Sequence, residues 1–338
     1  MIESVFQLEE ALSAPTAEVC ESLARLEGDL LLLGVGGKMG PSLARLARRA
    51  IDRAGVRKRV IGVSRFSAEG LRRDLEAEGV ETLAYDLLEE GAVEALPDAA
   101  NVIYLVGMKF GSTGNEPLTW AMNVDLPARV ARRFRSSRIV ALSTGNVYPL
   151  TPVDGSGPSE DHPVGPIGEY AQSCLGRERM FQYYSPRYGT PCVLIRLNYA
   201  IDLRYGVLLD VARKVYDRRP VDLSMGYVNV IWQGDANAAI LRSLERCASP
   251  PEIVNLTGPK VSIRDLAGRF GRAFDVAPVF TGTEADTALL SDASKAVRWF
   301  GPPRVSLEKM IEWVAHWVKI GGPTLGKPTH FENRDGRF

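Results

Sequence analysis

The run Gly34-Val35-Gly36-Gly37-Lys38-Met39-Gly40 constrains this chain more than any other segment, because of what flanks it. Ahead of it stand four leucines, residues 30–33, the pattern of a strand buried on both faces of a parallel sheet. Behind it, residues 41–54 carry Leu43, Leu46 and Ile51 among arginines, a helical spacing. A tight turn between the two needs positive φ, which glycine adopts without penalty. Backbone amides freed of Cβ bulk can then approach a pyrophosphate, helped by the partial positive charge of the helix start. In this strand–turn–helix setting the glycine run predicts a dinucleotide site, against the plainer reading of a loop that only turns the chain.

Further strands are expected at residues 59–63, 81–85, 101–106 and 138–142. Helical patterns at 68–78 and 117–134 lie between them. Such alternation predicts βαβ units and an α/β fold, a Rossmann-type doubly wound parallel sheet with a smaller C-terminal substrate-binding part. Residues 151–168 read as a loop, 169–186 as a helix, 192–197 as a strand and 306–319 as a last helix. The expected organisation is an N-terminal helical extension over 1–27, with a Thr-capped helix at 15–27, and an NAD(P)-binding domain over 28–198. A mainly substrate-binding region over 199–320 and a tail over 321–338 follow. The tail carries two Phe and a His; it either packs back over a cleft or partner, or stays solvated. Trp299, Phe300, Trp313 and Trp317 near the last helix read as core.

Bulk properties exclude several classes. Lys+Arg and Asp+Glu are both 41, so no basic excess points to nucleic acid. No apolar run approaches the roughly 18 residues of a membrane span. The start of the chain lacks a signal-peptide pattern. Cys20, Cys174, Cys192 and Cys247 lie far apart and read as reduced thiols of a cytoplasmic protein. Three scattered histidines predict no metal site.

The second strand ends in Ser64-Arg65, where NAD-preferring folds place Asp or Glu against the ribose 2′-hydroxyl. A positive residue there favours NADP over NAD; a solvated or adenine-stacked Arg65 would leave NAD usable.

Several segments together give the chain its resemblance to the extended short-chain dehydrogenase/reductase family, the NAD-dependent epimerase/dehydratase group. They are the spacing Gly34, Gly37, Gly40; Asp86-Leu87 after the third strand; Val106-Gly107-Met108-Lys109 after the fourth; and Asn123 in the next helix. To these are added Ser143-Thr144-Gly145-Asn146, Tyr170-Ala171-Gln172-Ser173-Cys174, Arg196-Leu197-Asn198-Tyr199 and Asp235. The resemblance implies that Gly34, Gly36, Gly37, Lys38, Met39, Gly40, Ser64, Arg65, Asp86, Leu87, Val106, Gly107, Lys109, Asn123, Tyr170 and Asn198 contact the cofactor. It implies Thr144, Asn146, Asn198 and Tyr199 for the substrate, and Thr144, Tyr170 and position 174 for catalysis. A homodimer through helices near 117–134 and 169–186 is implied as well.

The implied chemistry moves a proton at a secondary alcohol through Tyr170, while Thr144 hydrogen-bonds the substrate oxygen. A free Tyr has a pKa near ~10 and needs a neighbouring cation to act as a base at neutral pH. The family supplies a Lys four residues on, across one helical turn. Here that residue is Cys174. Either the site is weakened or non-catalytic, or another cation compensates, with Lys109, Arg177 and the oxidised nicotinamide ring as candidates. A second departure is Val228, seven residues before Asp235, where nucleotide-sugar members carry an Arg for the diphosphate. Valine cannot pair with phosphate. A free sugar, sugar acid or other small polar alcohol or ketone is therefore as well supported as a nucleotide sugar, with Arg204, Lys214 and Arg218 left as anion contacts. The expected function is an NAD(P)-dependent oxidoreductase or epimerase of a sugar-like substrate. The alternative is a non-catalytic NAD(P)-binding sensor or assembly protein.

Overall fold

The four leucines of β1 (Leu30–Leu33) are wholly buried and divide their side chains between two cores. Leu30 and Leu32 face one layer of helices, Leu31 and Leu33 the other, as the two-residue period of a strand requires. In the computed structural model, which describes residues 1–337, β1 lies inside a seven-stranded sheet. The other strands are β2 (Val60–Ser64), β3 (Glu81–Ala84), β4 (Asn101–Tyr104), β5 (Arg138–Thr144), β6 (Cys192–Leu197) and β7 (Glu252–Leu256). Their order is β7-β6-β5-β4-β1-β2-β3, and every neighbouring pair is parallel. This is the doubly wound α/β sheet expected from the alternation of elements.

Helix α1 (Val5–Ser13) is an element that the sequence reading did not include. It precedes α2 (Ala17–Arg25), whose Thr16 cap accepts from the Val19 amide. The two do not form a separate extension. Leu8 and Leu12 of α1 sit in the C-terminal core, whereas Val19 and Leu23 of α2 sit under the sheet beside α3 (Gly40–Arg53). The boundary at residue 198 is also crossed. β7, from the region assigned to the substrate, completes the sheet by pairing with β6 from Glu252↔Val193 to Leu256↔Leu197. An uncovered β6 edge would leave backbone groups unpaired, and β7 removes that edge.

After α4 (Leu71–Ala77), the helix expected over 117–134 proves to be three pieces. They are α5 (Glu116–Trp120), a π-helical turn Ala121–Asp125 and α6 (Leu126–Arg133). The widened turn buries Asn123 completely. Such turns absorb an extra residue and redirect one side chain. Helix α7 (Gly168–Tyr188) covers the same face of the sheet as α6.

Beyond the sheet, α8 (Val207–Tyr216), α9 (Gln233–Arg242), α10 (Ile263–Phe274), α11 (Ser294–Phe300) and α12 (Leu307–Lys319) complete the chain. α8, α10 and α12 bury Val211, Phe270, Val314 and Trp317 in a second core, as expected of the aromatic stripe at Trp317. Residues 321–337 have no regular structure but pack back: Phe331 is buried in that core. Phe338, also assigned to the tail, lies outside the described residues. Among the described residues, no helix is long and apolar enough to cross a membrane.

Candidate active site

The carboxyl ends of β1, β4, β5 and β6 open on one cleft of about 250 Å³. Gly34, Gly37, Lys38, Met39 and Gly40 form one wall; Lys109, Thr144, Asn146, Tyr170, Asn198 and Tyr199 form the other. Eleven positions singled out in the sequence thus meet, from segments up to 165 residues apart. Open parallel sheets place ligands at this end of their strands.

Each glycine of the turn answers to a different constraint. Gly34 has φ +88°. A Cβ on Gly40 would stand 2.2 Å from the Val35 carbonyl oxygen, so α3 can approach β1 only with glycine there. A Cβ on Gly36 would stand 2.3 Å from Ser64 Oγ, so Gly36 and Ser64 pack on each other and not on the cleft. A Cβ on Gly37, by contrast, would meet only the Gly34 oxygen at 3.3 Å and otherwise project into open space. That bare position beside the start of α3 fits a pyrophosphate, and the chain's glycine turn thereby suits the NAD(P) that its sequence implies.

Two lysines face the cleft. Burial pulls Lys38 down to about 7, although Asp202 opposes the shift. Its ammonium donates to the Ala200 carbonyl and lies 4.1 Å from the centre of the Tyr205 ring. Burial likewise pulls Lys109 down to about 8, with Cys174 opposing. The Lys109 ammonium stands 5.8 Å from the centre of the Tyr170 ring.

Tyr170 sits in the first turn of α7, with Thr144 at the end of β5 within hydrogen-bonding reach. Thr144 Oγ1 also contacts Asn146 Oδ1 at 2.9 Å and accepts from the Asn146 amide at 3.2 Å. Burial raises the Tyr170 phenol well above its ordinary value, and Cys174 pushes it the same way; Arg177 and Thr144 pull it back. The phenol is therefore held protonated at neutral pH. Tyr199 has φ +37°, a strained backbone for a bulky residue, at the rim of the same cleft.

The other positions expected at the site do not line the cleft. Cys174 is wholly buried among Val147, Tyr148 and Tyr170, with its thiol hydrogen-bonded to Tyr170, and burial raises that thiol, so it is neutral. Asn123 faces protein, because the π turn aims its amide at Met108. It accepts from the Met108 amide at 3.0 Å, donates to the Met108 carbonyl at 3.1 Å and donates to Ser173 Oγ at 2.9 Å. Leu87 belongs to the core under the sheet. Val106 packs over Gly34, and Gly107 lies over the Arg177 guanidinium. Arg65 and Asp86 stand outside the cleft beyond β2, 3.6 Å apart and exposed.

Behind the cleft lies a buried polar cluster that the sequence reading missed. Arg177 donates to the Leu142 carbonyl at 2.7 Å and to Asn123 Oδ1 at 2.6 Å. Glu178 accepts both Arg196 Nε at 3.0 Å and Arg196 Nη2 at 2.7 Å, with Ser143 Oγ donating to it at 2.6 Å. Arg196 Nη1 reaches Tyr148, whose hydroxyl donates to Asn255 Oδ1 at 2.9 Å. The available signal was spacing: Tyr170, Cys174 and Glu178 repeat every four residues along one face of α7.

The family model for the NAD dependent epimerase/dehydratase family matches residues 30–223. No curated protein matches the chain. Among solved structures, UDP-glucuronic acid 4-epimerase from Bacillus cereus, in complex with UDP-glucuronic acid and NAD, is similar with a TM-score of 0.72. It is 18% identical over 86% of this chain and 99% of that one. UDP-glucose 4-epimerase from Thermotoga maritima, solved with UDP-glucose, has a TM-score of 0.69 at 16% identity, over 86% and 98% of the two chains. An epimerase from Methanothermobacter thermautotrophicus gives 0.69 at 17%, over 90% and 96%. At these identities the structures speak for the fold, while the match over residues 30–223 speaks for descent. The chain belongs to the NAD dependent epimerase/dehydratase family.

Proposed function

We propose that this protein is an NAD(P)-dependent oxidoreductase or epimerase that acts on a secondary alcohol or ketone of a sugar-like substrate, with Tyr170 as the acid/base. The observation that carries this reading is the convergence of Thr144, Tyr170 and the bare Gly37 turn on one cleft. Residues 28–198 together with β7 hold the cofactor, and residues 199–320 shape the substrate side. A nicotinamide cofactor bound there would supply hydride exchange at the substrate carbon. Gly34, Gly37, Lys38 and Gly40 would hold its pyrophosphate, and Asn198 and Tyr170 would border its ribose. Thr144 orients the substrate oxygen, and Tyr170 gives or takes the proton. A protonated, desolvated phenol favours donation, so ketone reduction is the easier direction unless a cation stabilises the phenolate. Lys109 is that cation in this reading, with Arg177 buried about two turns beyond Tyr170 on α7.

NADP is proposed over NAD. The end of β2 carries Ser64 and Arg65 where an acidic residue would select a ribose 2′-hydroxyl, and Arg65, Arg72 and Arg73 line a groove beyond β2. Calorimetric titration with NADPH and NADH tests both layers. Tighter NADPH binding is expected; tighter NADH binding removes the preference, and no binding of either removes the whole reading. Hydride transfer between bound cofactor and a panel of sugars and sugar acids tests turnover.

One observation favours the alternative of a cofactor-binding sensor or assembly protein without turnover. The Lys position of the family is a buried, neutral Cys174. Cofactor binding without transfer to any panel member selects that alternative. A cytoplasmic homodimer is part of the proposal. The four cysteines are free thiols. Leu118 and Trp120 of α5 and Tyr183 and Tyr188 of α7 leave large apolar side chains exposed on the helices that a dimer would use.

A further inference from the structure

The segment 321–337 is tied along its length to the substrate side of the cleft. The Leu325 amide donates to the Arg204 carbonyl at 3.0 Å. Thr329 donates twice to Asp210 Oδ2 of α8, at 2.8 Å from its amide and 2.6 Å from its hydroxyl. Phe331 is buried, and Glu332 pairs with Lys214 at 3.4 Å. Arg334 donates to the Thr287 carbonyl and hydroxyl, both at 2.7 Å, and to the Ser224 carbonyl at 3.1 Å. Gly336 then lies against the start of α7, two residues before Tyr170. A Cβ on Gly336 would stand 2.1 Å from the Ile167 oxygen, and one on Gly168 would stand 2.5 Å from the Gly336 oxygen. Only two bare backbones approach so closely.

This path brings Asn333, Arg334 and Gly336 around one small space with Asn146 and Tyr199, which also line the cleft. The space left between them is about 20 Å³, room for about one water and for no larger group. The open part of the cleft, about 250 Å³, lies on the side of the glycine turn. Val228, the position left without a phosphate-binding side chain, is fully buried in the C-terminal core.

We infer that residues 321–337 form a wall of the substrate pocket that excludes nucleotidyl substituents. The substrate is then a small free sugar or sugar acid, not a nucleoside-diphosphate sugar. Arg334 and Gly336 are its specificity-determining residues: they fasten the wall and touch no reacting atom. This inference rests on the reading of the cleft as the active site.

The test is calorimetry on the full chain loaded with NADPH, with UDP-glucose as the probe, beside hydrogen exchange over residues 327–337. No UDP-glucose binding at millimolar concentration is expected. Binding tighter than about 0.1 mM with the segment still protected from exchange overturns the inference. In Arg334→Ala, faster exchange of the segment should accompany at least tenfold stronger UDP-glucose binding. Faster exchange without any such binding also overturns it. If Arg334→Ala leaves exchange unchanged, Gly336→Val, which cannot seat against Ile167, takes its place with the same two outcomes. Loss of NADPH binding by the unaltered protein would instead count against the proposed function.

Discussion

The Lys109 ammonium and the Tyr170 ring face each other at 5.8 Å, from the loop after β4 and the first turn of α7. The proposed acid/base thus has a cation beside its ring from the loop after β4, where the family pattern would bring one from the next turn of the same helix. Lys109→Met should therefore lower kcat by about 10²-fold, within the range general acid–base groups contribute, and leave cofactor affinity within a few-fold. Cys174→Lys in the Lys109→Met background should restore part of that loss. Lys109 ordinarily titrates near 10.5 but near 8 here, so its charge is present below about pH 8 and fades above it. The support it gives should fade likewise, whereas Lys109→Arg should keep activity above pH 8. An unchanged pH profile in Lys109→Arg would count against this role.

Lys38 predicts how cofactor binding depends on pH. Its ordinary value of 10.5 falls to about 7 in the folded chain, first through burial. Between those values the unfolded chain holds a proton that the folded chain lacks, so this group makes stability rise as pH climbs from about 7 toward 10.5. An anionic cofactor restores the charge. Binding above pH 7 must then take up a proton, and affinity should weaken by up to about tenfold per pH unit. Titrations at pH 6.5, 7.5 and 8.5 measure this, and Lys38→Met should flatten the dependence.

Gly37 and Gly40 should separate binding from folding. Gly37→Ala places its methyl in the open cleft, so Tm should stay near that of the unaltered protein while cofactor affinity drops at least about tenfold, or ~1.4 kcal/mol. Gly40→Ala drives a methyl into the Val35 carbonyl and should destabilise the fold by roughly 1–3 kcal/mol. Thermal unfolding and fluorescence titration of both variants check the contrast.

The Glu178–Arg196 pair is buried on both sides, with side chains 0% and 3% exposed. Removing one charge strands the other in a low dielectric. Glu178→Gln should therefore destabilise the protein by about 3 kcal/mol or more in denaturant unfolding. Because α7 carries both Glu178 and Tyr170, turnover should fall as well.

Trp120 and Tyr183 are 38% and 56% exposed on neighbouring helices. If they meet a second copy, the double change Trp120→Arg, Tyr183→Arg should halve the mass in sedimentation without altering the circular dichroism spectrum. An unchanged mass would place the dimer elsewhere or rule it out.

Local patterns made the sheet legible: four leucines, a glycine run and a helical spacing each carry their meaning within about 15 residues. Gly37 was legible for the same reason, whereas Thr144 and Tyr170 were named through the family resemblance. The site's supporting parts were not. The π turn at Ala121–Asp125 has no local sign that Asn123 turns inward, because its direction depends on Met108, Ser173 and Arg177 packed against it. The strand Glu252–Leu256 looked like part of another region, because the edge it covers lies nearly sixty residues earlier in the chain.

Taken alone, the order of apolar runs, glycines and caps determined a doubly wound sheet with a nucleotide-sized turn at its first strand. Short-range sterics and periodicity suffice for that. Only the tertiary structure decided that Lys109 stands by the Tyr170 ring, that Cys174 is buried beside Val147 and Tyr148, and that residues 321–337 pack against α8 and the start of α7. Those outcomes depend on burial and on contacts between distant segments, which exist only once the chain has folded.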